Sequence, residues 1–260
     1  MKKILSLANA FAFFLMIAIN YLSNTGISHG NTMETISDRY FNAFTPAGYA
    51  FSIWGLIYLG LAGFVVYTGR HLFGNREIEP HLLKIGWWFV LSCLANSLWV
   101  VTWLYDHTGS SVLVMLFLLF CLLKIIIRTR MELDSHPFTK YLFIFWPFAV
   151  YTGWISISLI ANVAAWLTKI GWNGWGLSEP AWTLFMICSA GLIQLTIITR
   201  RNLREAGAAG IWGLVAVAVS NSSHEGSTVV VYACYVVAAV ILLFILINAA
   251  KTRQRSVEKM

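Results

Sequence analysis

The sequence predicts an all-α protein, a polytopic membrane bundle of about eight transmembrane helices. Of its 260 residues 58% are hydrophobic and only 11% are charged, whereas a soluble domain carries about 25% charged residues. The charged residues are also unevenly spaced, and residues 40–69 contain no Asp, Glu, Lys or Arg. A helix needs about twenty apolar residues to cross a hydrocarbon core. The length of this run therefore indicates a membrane span.

Uncharged runs mark the spans in chain order. Span one follows Lys2 and Lys3, and its apolar run is longer than a typical signal core and lacks an Ala-x-Ala site, which predicts a retained helix. Span two is the uncharged run that ends at Gly69, and the later spans are bounded by charged residues close to their ends. The predicted ranges are 4–22, 50–69, 85–105, 110–127, 141–166, 180–199, 207–221 and 228–250. Span seven is the shortest of them.

The loops between these spans divide the basic residues unequally. One side holds Lys2, Lys3, Arg70, Arg76, Lys84, Arg128, Arg130, Lys140, Arg200, Arg201, Arg204, Lys251, Arg253, Arg255 and Lys259. The other side holds only Arg39 and Lys169, and Lys124 lies inside span four near its basic end. Because basic loops stay in the cytoplasm, this asymmetry predicts a multi-pass cell-membrane protein with both termini cytoplasmic. The net charge of +7 then indicates contact with anionic lipid rather than nucleic acid.

Several functional classes are disfavoured by what the spans lack. All eleven Asp and Glu residues and all six histidines fall in loops or at span ends, whereas pumps and ion transporters usually place an ionisable group at mid-membrane. No phosphate-binding loop, zinc-protease helix or nucleophile elbow is present. The four cysteines lie in four different spans, which predicts buried apolar residues. We therefore predict no catalytic residue and no metal site.

Aromatic and amide residues supply the remaining signal. Of the twelve tryptophans, Trp54, Trp99 and Trp154 lie well inside spans, whereas the other nine lie near span ends. Polar and aromatic residues on or beside the same helical faces are Phe51 and Tyr58 on span two, Asn96 on span three, and Ser158 and Asn162 on span five. An amide in hydrocarbon needs a hydrogen-bonding partner. Either the amides bond across helices and the indoles fill the bundle, or both line a pocket for a flat, largely apolar ligand.

Three segments of the chain resemble one known family. Residues 46–58 resemble the motif that opens helix two of the tryptophan-rich sensory proteins, the bacterial relatives of the mitochondrial translocator protein. Residues 96–99 are similar to the family's Asn-x-x-Trp on helix three. Residues 151–154, with Asn162, are similar to its Tyr-x-x-Trp and following Asn on helix five.

The first motif departs from the family pattern. Phe51 and Trp54 are three residues apart where the family has four, Tyr49 stands at a usual Trp, and Ala47 and Ile53 replace prolines. These departures indicate a divergent member.

The resemblance implies a fold and a site. It implies a five-helix ligand-binding bundle over residues 1–168, followed over residues 169–260 by three additional helices and a basic cytoplasmic tail. Family members bind porphyrins, haem and in some cases sterols or synthetic aromatic drugs, under a lid formed by the first loop, which in this sequence is Ser23 to Ala50. The implied ligand-binding residues are Phe51, Trp54, Asn96, Trp99, Trp154, Ser158 and Asn162.

The expected function is binding of a hydrophobic planar ligand, a porphyrin or haem-like tetrapyrrole or a sterol, for sensing or transport. No cofactor is required, and the expected partners are that ligand and membrane lipid, without nucleic acid. Two alternatives stay open, a transporter of another small hydrophobic molecule and a porphyrin-degrading enzyme. In the C-terminal extension, at and just before the start of span seven, Ala206 with Gly210 and Ala209 with Gly213 have the spacing of close helix packing. They predict that span seven packs inside the bundle or at a homodimer interface.

Overall fold

The predicted helical membrane bundle is confirmed by a computed structural model, which describes residues 2–26, 30–74, 77–224 and 226–257. Among these residues, seven helices are long and apolar enough to cross a membrane, and an eighth, Trp88–Leu104, is shorter at 17 residues. The α-helices are α1 Lys2–Leu22, α2 Met33–Arg39, α3 Ile53–Gly69, α4 Pro80–Ile85, α5 Trp88–Leu104, α6 Thr108–Thr129, α7 Phe138–Lys140, α8 Trp146–Lys169, α9 Glu179–Arg201, α10 Arg204–Ser223 and α11 Thr228–Val257. The eight predicted spans correspond to α1, α3, α5, α6, α8, α9, α10 and α11.

Local sequence explains where the shorter helices begin and end. Thr32 and Thr35 form a capping box at the start of α2, so two backbone N–H groups of the first turn are satisfied. Pro80 occupies the first turn of α4, where no N–H donor is needed, and Gly86 ends that helix at φ +58°. A π-helical segment, Tyr141–Phe145, joins α7 to α8.

The chain forms two compact units. Unit 1 comprises Met1–Phe41 and Ser52–Phe148, and unit 2 comprises Asn42–Phe51 and Ala149–Met260. Along the sequence the chain passes from one unit to the other three times, after Phe41, after Phe51 and, inside α8, after Phe148. The division at residue 168 that the resemblance implies stays a prediction.

Unit 1 is built on α1, α3, α5 and α6. Three fully buried rings form the centre of its core: Phe64 lies 4.9 Å from Phe89 and 5.0 Å from Phe148 between ring centroids, in edge-to-face contacts. Such pairs add about 0.5–1.5 kcal/mol beyond their area burial. Gly60 of α3 lies close to Pro147, and a Cβ atom at residue 60 would be only 3.1 Å from the proline ring. The start of α8 thus packs closely on α3.

Unit 2 is built on α9, α10, α11 and α8 from Ala149 onward. Its core is apolar and includes Ile157, Ala164, Ile187, Ala190, Ile198, Leu214, Val217, Val230, Cys234 and Ile241. The segment 42–51 is part of this unit, and its Phe44 side chain is fully buried in the core. Backbone groups of the segment bond to α10: the Ala47 N–H donates to Ala216 O at 3.0 Å, and Trp212 Nε1 donates to Ala50 O at 3.1 Å.

Helix α10 packs inside unit 2, as the small-residue spacing of span seven predicted. Its Ala206, Ala209, Gly210 and Gly213 are all buried. A Cβ at Gly213 would lie 2.8 Å from a methyl group of Ile157, so this glycine is required by the close approach of α8. The small residues are therefore used within the chain.

The cysteines are free thiols, and three of the four agree with the expected burial. Cys93, Cys121 and Cys234 are buried, but Cys188 is exposed. The expectation was wrong for Cys188 because a span has an outward face as well as a packed one, and hydropathy alone does not distinguish them.

Candidate functional site

Four aromatic side chains of α3 and α5 form a continuous ladder in unit 1. Trp54 stacks on Tyr58 at 5.4 Å with an interplanar angle of 24°, and lies 5.8 Å from Trp99 at 30°. Trp99 in turn stacks on Trp103 at 6.4 Å and 28°. The three indoles are at most 9% exposed. Two of the predicted site residues, Trp54 and Trp99, are thus brought together, and we name these four side chains the aromatic ladder.

A buried amide network adjoins the aromatic ladder. The Tyr58 hydroxyl donates to Asn20 Oδ1 at 2.6 Å. Asn20 Nδ2 donates to Asn96 Oδ1 at 2.7 Å and to the Met16 carbonyl at 2.9 Å. The predicted residue Asn96 is fully buried and bonds across helices to α1. This bond agrees with the first of the two interpretations, in which the amides bond across helices. Tyr58 of the aromatic ladder lies at the other end of the network.

Sequence reasoning did not single out Asn20. The signal was available, because Asn20 lies inside an uncharged span, as Asn96 does. An amide there needs a partner just as Asn96 does. The two residues are separated by 76 positions, so their pairing depends on the vertical register of α1 against α5, which the sequence does not state.

The first half of the predicted lid is tied to the carboxyl-terminal end of α5. Trp103 Nε1 donates to the Met33 carbonyl at 3.2 Å, so α2 lies directly on the end of the aromatic ladder. Asn31 Nδ2 donates to Leu104 O at 2.9 Å, and the Tyr40 hydroxyl donates to Asp106 Oδ2 at 2.8 Å. Residues 27–29 of the predicted lid lie outside the described residues, and its second half, 42–51, belongs to unit 2.

Removing the Tyr40 hydroxyl should loosen this attachment. A hydrogen bond to a charged group contributes about 1.5–3 kcal/mol, so Tyr40→Phe should raise the population of the locally open loop about tenfold. Trypsin should then cleave after Arg39 about tenfold faster, since proteolysis follows the open fraction. Tyr21→Phe, at a residue 72% exposed, is the matched control and should leave the cleavage rate unchanged. Equal rates for Tyr40→Phe and wild type would exclude the attachment.

The remaining predicted site residues lie in unit 2. Trp154 and Asn162 are 2% and 3% exposed, Ser158 is half-buried, and all three share one face of α8 with Tyr151. Phe51 is half-buried in the 3₁₀ turn before α3. The structure therefore places Trp154, Ser158 and Asn162 on a common stripe, as their spacing predicted.

The opposite side of α8 carries a polar contact that sequence reasoning missed. Gln194 of α9 is fully buried, and its Nε2 donates to Gly153 O at 3.1 Å and to Ser156 Oγ at 2.8 Å. Gly210 of α10 leaves room for this amide, because a Cβ there would lie 2.6 Å from Gln194 Cδ. The only glutamine within an apolar span was the available signal. This contact joins α8 to α9 within unit 2.

The site chemistry is that of rings and amides. Within the described ranges, no group of three or more His, Cys, Asp or Glu residues is arranged to hold a metal ion. Indole faces attract flat apolar molecules by stacking, and the amide network supplies hydrogen bonds at one edge of the aromatic ladder.

A comparison with protein families bears on this arrangement. A family model described as TSPO-like protein matches residues 6–247. The chain belongs to the TSPO-like family. The matched region covers α9, α10 and α11 as far as residue 247, so it extends beyond the five helices that the resemblance concerned. Neither the curated proteins nor the solved structures yield a significant match.

Proposed function

We propose that this TSPO-like membrane protein binds a flat, largely apolar ligand of the tetrapyrrole class and senses or transports it. The aromatic ladder is the observation that supports the proposal most directly. Three successive ring pairs lie within 30° of parallel, and these rings would offer aromatic surface for a planar macrocycle to stack on once the residues that cover them move aside. A sterol, with a puckered aliphatic skeleton, fits parallel rings less well.

The proposed route to the aromatic ladder is through α2. Trp99 and Trp103 are 5% and 6% exposed, and Met33 of α2 accepts the indole hydrogen bond of Trp103. A ligand that stacks on these rings must first displace α2. The polar contacts of Asn31 and Tyr40 to the end of α5 are the ones that would break and reform during exchange.

In this proposal Asn96 positions the aromatic ladder. It accepts a hydrogen bond from Asn20, which in turn accepts one from Tyr58, the ring stacked on Trp54. The amides thus form most of their hydrogen bonds within the network. Few would be offered to a ligand, which suits a ligand with an apolar face. Loss of Asn96 would leave the Asn20 amide without one acceptor and release Tyr58 from its position.

The resemblance to the tryptophan-rich sensory proteins supports a role in ligand binding for Phe51 and for the residues on one face of α8. Phe51, Trp154, Ser158 and Asn162 are the residues concerned, and their assignment rests on motif position. Trp154→Ala tests this assignment separately, because unchanged porphyrin affinity in a folded variant would remove the stripe from the site.

The flux of porphyrin across a membrane that contains the protein distinguishes transport from sensing. Purified protein in proteoliposomes should release entrapped porphyrin faster than protein-free liposomes if it transports, and at the same rate if it only senses. A chemically altered porphyrin among the products would instead identify an enzyme.

We propose further that the basic loops face the cytoplasm. In a background with the native cysteines replaced, Ser178→Cys should react with an impermeant thiol reagent from outside intact cells, and Ser135→Cys should not. Both serines are exposed, and they lie in loops on opposite sides of the predicted topology. Labelling of Ser135→Cys from outside would reverse the orientation.

A further inference from the structure

A compact cluster of titratable residues lies in unit 1 between α4, the loop before α7, and the π-helical segment. Glu79 Oε1 is 2.8 Å from His81 Nδ1 and 3.2 Å from Lys140 Nζ. The His81 and Glu79 side chains are only 4% and 10% exposed. The His136 ring is 5.1 Å from that of His81, at right angles to it. We name these four residues the histidine cluster.

Aromatic packing couples the histidine cluster to the backbone of the π-helical segment. Phe145, fully buried in that segment, lies 5.4 Å from His81 and 5.3 Å from His136 between ring centroids. Tyr141 packs on Phe145 and accepts a hydrogen bond from the His136 N–H. π-Helical turns recur at functional sites, and in this protein one wall of the turn is made of two imidazoles.

The hydrogen bond to Glu79 determines where His81 would take up a proton. Because the carboxylate accepts from Nδ1–H, neutral His81 carries its lone pair on Nε2. Nε2 is buried and has no hydrogen-bonding partner among the residues that the structure describes. A proton there would create a buried N–H without an acceptor, next to a second imidazole and to the Lys140 ammonium.

We propose that the histidine cluster is a proton-binding site, and that protonation of His81 and His136 loosens the packing of α4 and of residues 130–137 against the π-helical segment. Four charged residues face His81 and His136. Glu79 and Lys84 lie on the α4 side, and Lys140 belongs to α7. The fourth is Asp134, which forms an ion pair with Arg130 after the end of α6. Glu79 already pairs with Lys140. Protonation of both histidines would therefore add two positive charges that the nearby carboxylates do not balance.

The pH window follows from the shifts. Burial lowers the pKa of His81 below its ordinary 6.5 despite the hydrogen bond that His81 donates to Glu79, and burial with the neighbouring His81 and Lys140 charges lowers the pKa of His136. Stability from these neutral histidines is fully present above pH 6.5 and is lost as pH falls toward their folded pKa values. Burial raises the pKa of Glu79, but hydrogen bonds from His81 and Lys140 lower it overall below 4.5, so its contribution is lost only at lower pH. Between pH 6.5 and 4.5 the two histidines therefore determine how the stability of this cluster changes with pH.

The test is hydrogen–deuterium exchange of the full-length protein in nanodiscs at pH 7.5 and pH 5.5, corrected for the intrinsic pH dependence of exchange. Peptides covering 80–86 and 134–145 should exchange at least about tenfold faster at the lower pH, while peptides of α5 and α6 stay protected. His81→Gln should lose this response. His107→Gln, at an exposed histidine at the start of α6, is the matched control and should retain it.

Equal protection of these peptides at the two pH values in wild type would overturn the proposal, as would a full response in His81→Gln. If His81→Gln does not fold, NMR titration of the imidazole signals of the wild-type protein decides instead. Both histidines should titrate below pH 6.5, and a value at or above 6.5 for His81 would overturn the proposal, because protonation would then stabilise the packing rather than loosen it.

Discussion

Gly153→Ala should destabilise the protein strongly, although it adds only a single methyl group. A Cβ at residue 153 would lie 2.6 Å from Ala206 Cα and 2.7 Å from its carbonyl carbon. These atoms belong to the backbone of α10, which cannot rotate away as a side chain can. Overpacking of this kind costs about 1–3 kcal/mol and occasionally more, and the upper end applies because α8 or α10 must move as a whole.

The expected effect is a fall in Tm of roughly 6–12 °C, since about 3 kcal/mol shifts a chain of this size by 2–4 °C per kcal/mol. Differential scanning fluorimetry in detergent measures it. Gly55→Ala is the matched control, because nothing lies within 4 Å of a Cβ there and alanine favours a helix more than glycine does. Its Tm should be unchanged or higher. Equal Tm values for the two variants would show that α8 and α10 are not in close contact.

Charge placement made the helices predictable. Charged residues are expensive in hydrocarbon, so each span ends close to one, and α9 and α11 begin within one residue of the predicted positions. Helical spacing likewise predicted that Trp154, Ser158 and Asn162 share a face. Both inferences depend only on residues near one another in sequence.

Contacts between distant residues were not predictable in the same way. The Asn20–Asn96 bond and the Gln194–Gly153 bond join residues 76 and 41 positions apart. Each depends on the register of two helices and on one side-chain rotamer, and an apolar span is equally compatible with several registers. The π-helical segment at Tyr141–Phe145 was missed for a related reason, because one extra residue per turn leaves no clear trace in hydropathy.

The described part of the first loop is attached in two places. The resemblance implied one lid over Ser23 to Ala50, but the described part of this loop divides near Phe41. Residues before this point bond to the carboxyl-terminal end of α5, and residues after it bond to α10 in unit 2. A loop of small polar residues says nothing about which of its backbone groups will find partners.

Trp99→Ala should have the largest effect on ligand affinity. Trp99 lies between Trp54 and Trp103 in the aromatic ladder, so its removal interrupts the stack at its centre. Burial of an aromatic side chain of roughly 150–250 Å² at about 25 cal/mol per Å² sets an upper limit of several kcal/mol. Because association costs absorb part of this, we expect affinity to fall at least about tenfold, or roughly 1.4 kcal/mol. Trp99→Phe should be intermediate.

The measurement that tests the central proposal most directly is a titration of protoporphyrin IX absorbance with the protein in nanodiscs, against empty nanodiscs. Trp175→Ala is the control, since this indole is 80% exposed in a loop of unit 2. We predict saturable binding by wild type and by Trp175→Ala, and at least about tenfold weaker binding by Trp99→Ala. Wild-type affinity in a folded Trp99→Ala variant, or no binding by wild type beyond that of empty nanodiscs, would contradict a ligand site on the aromatic ladder.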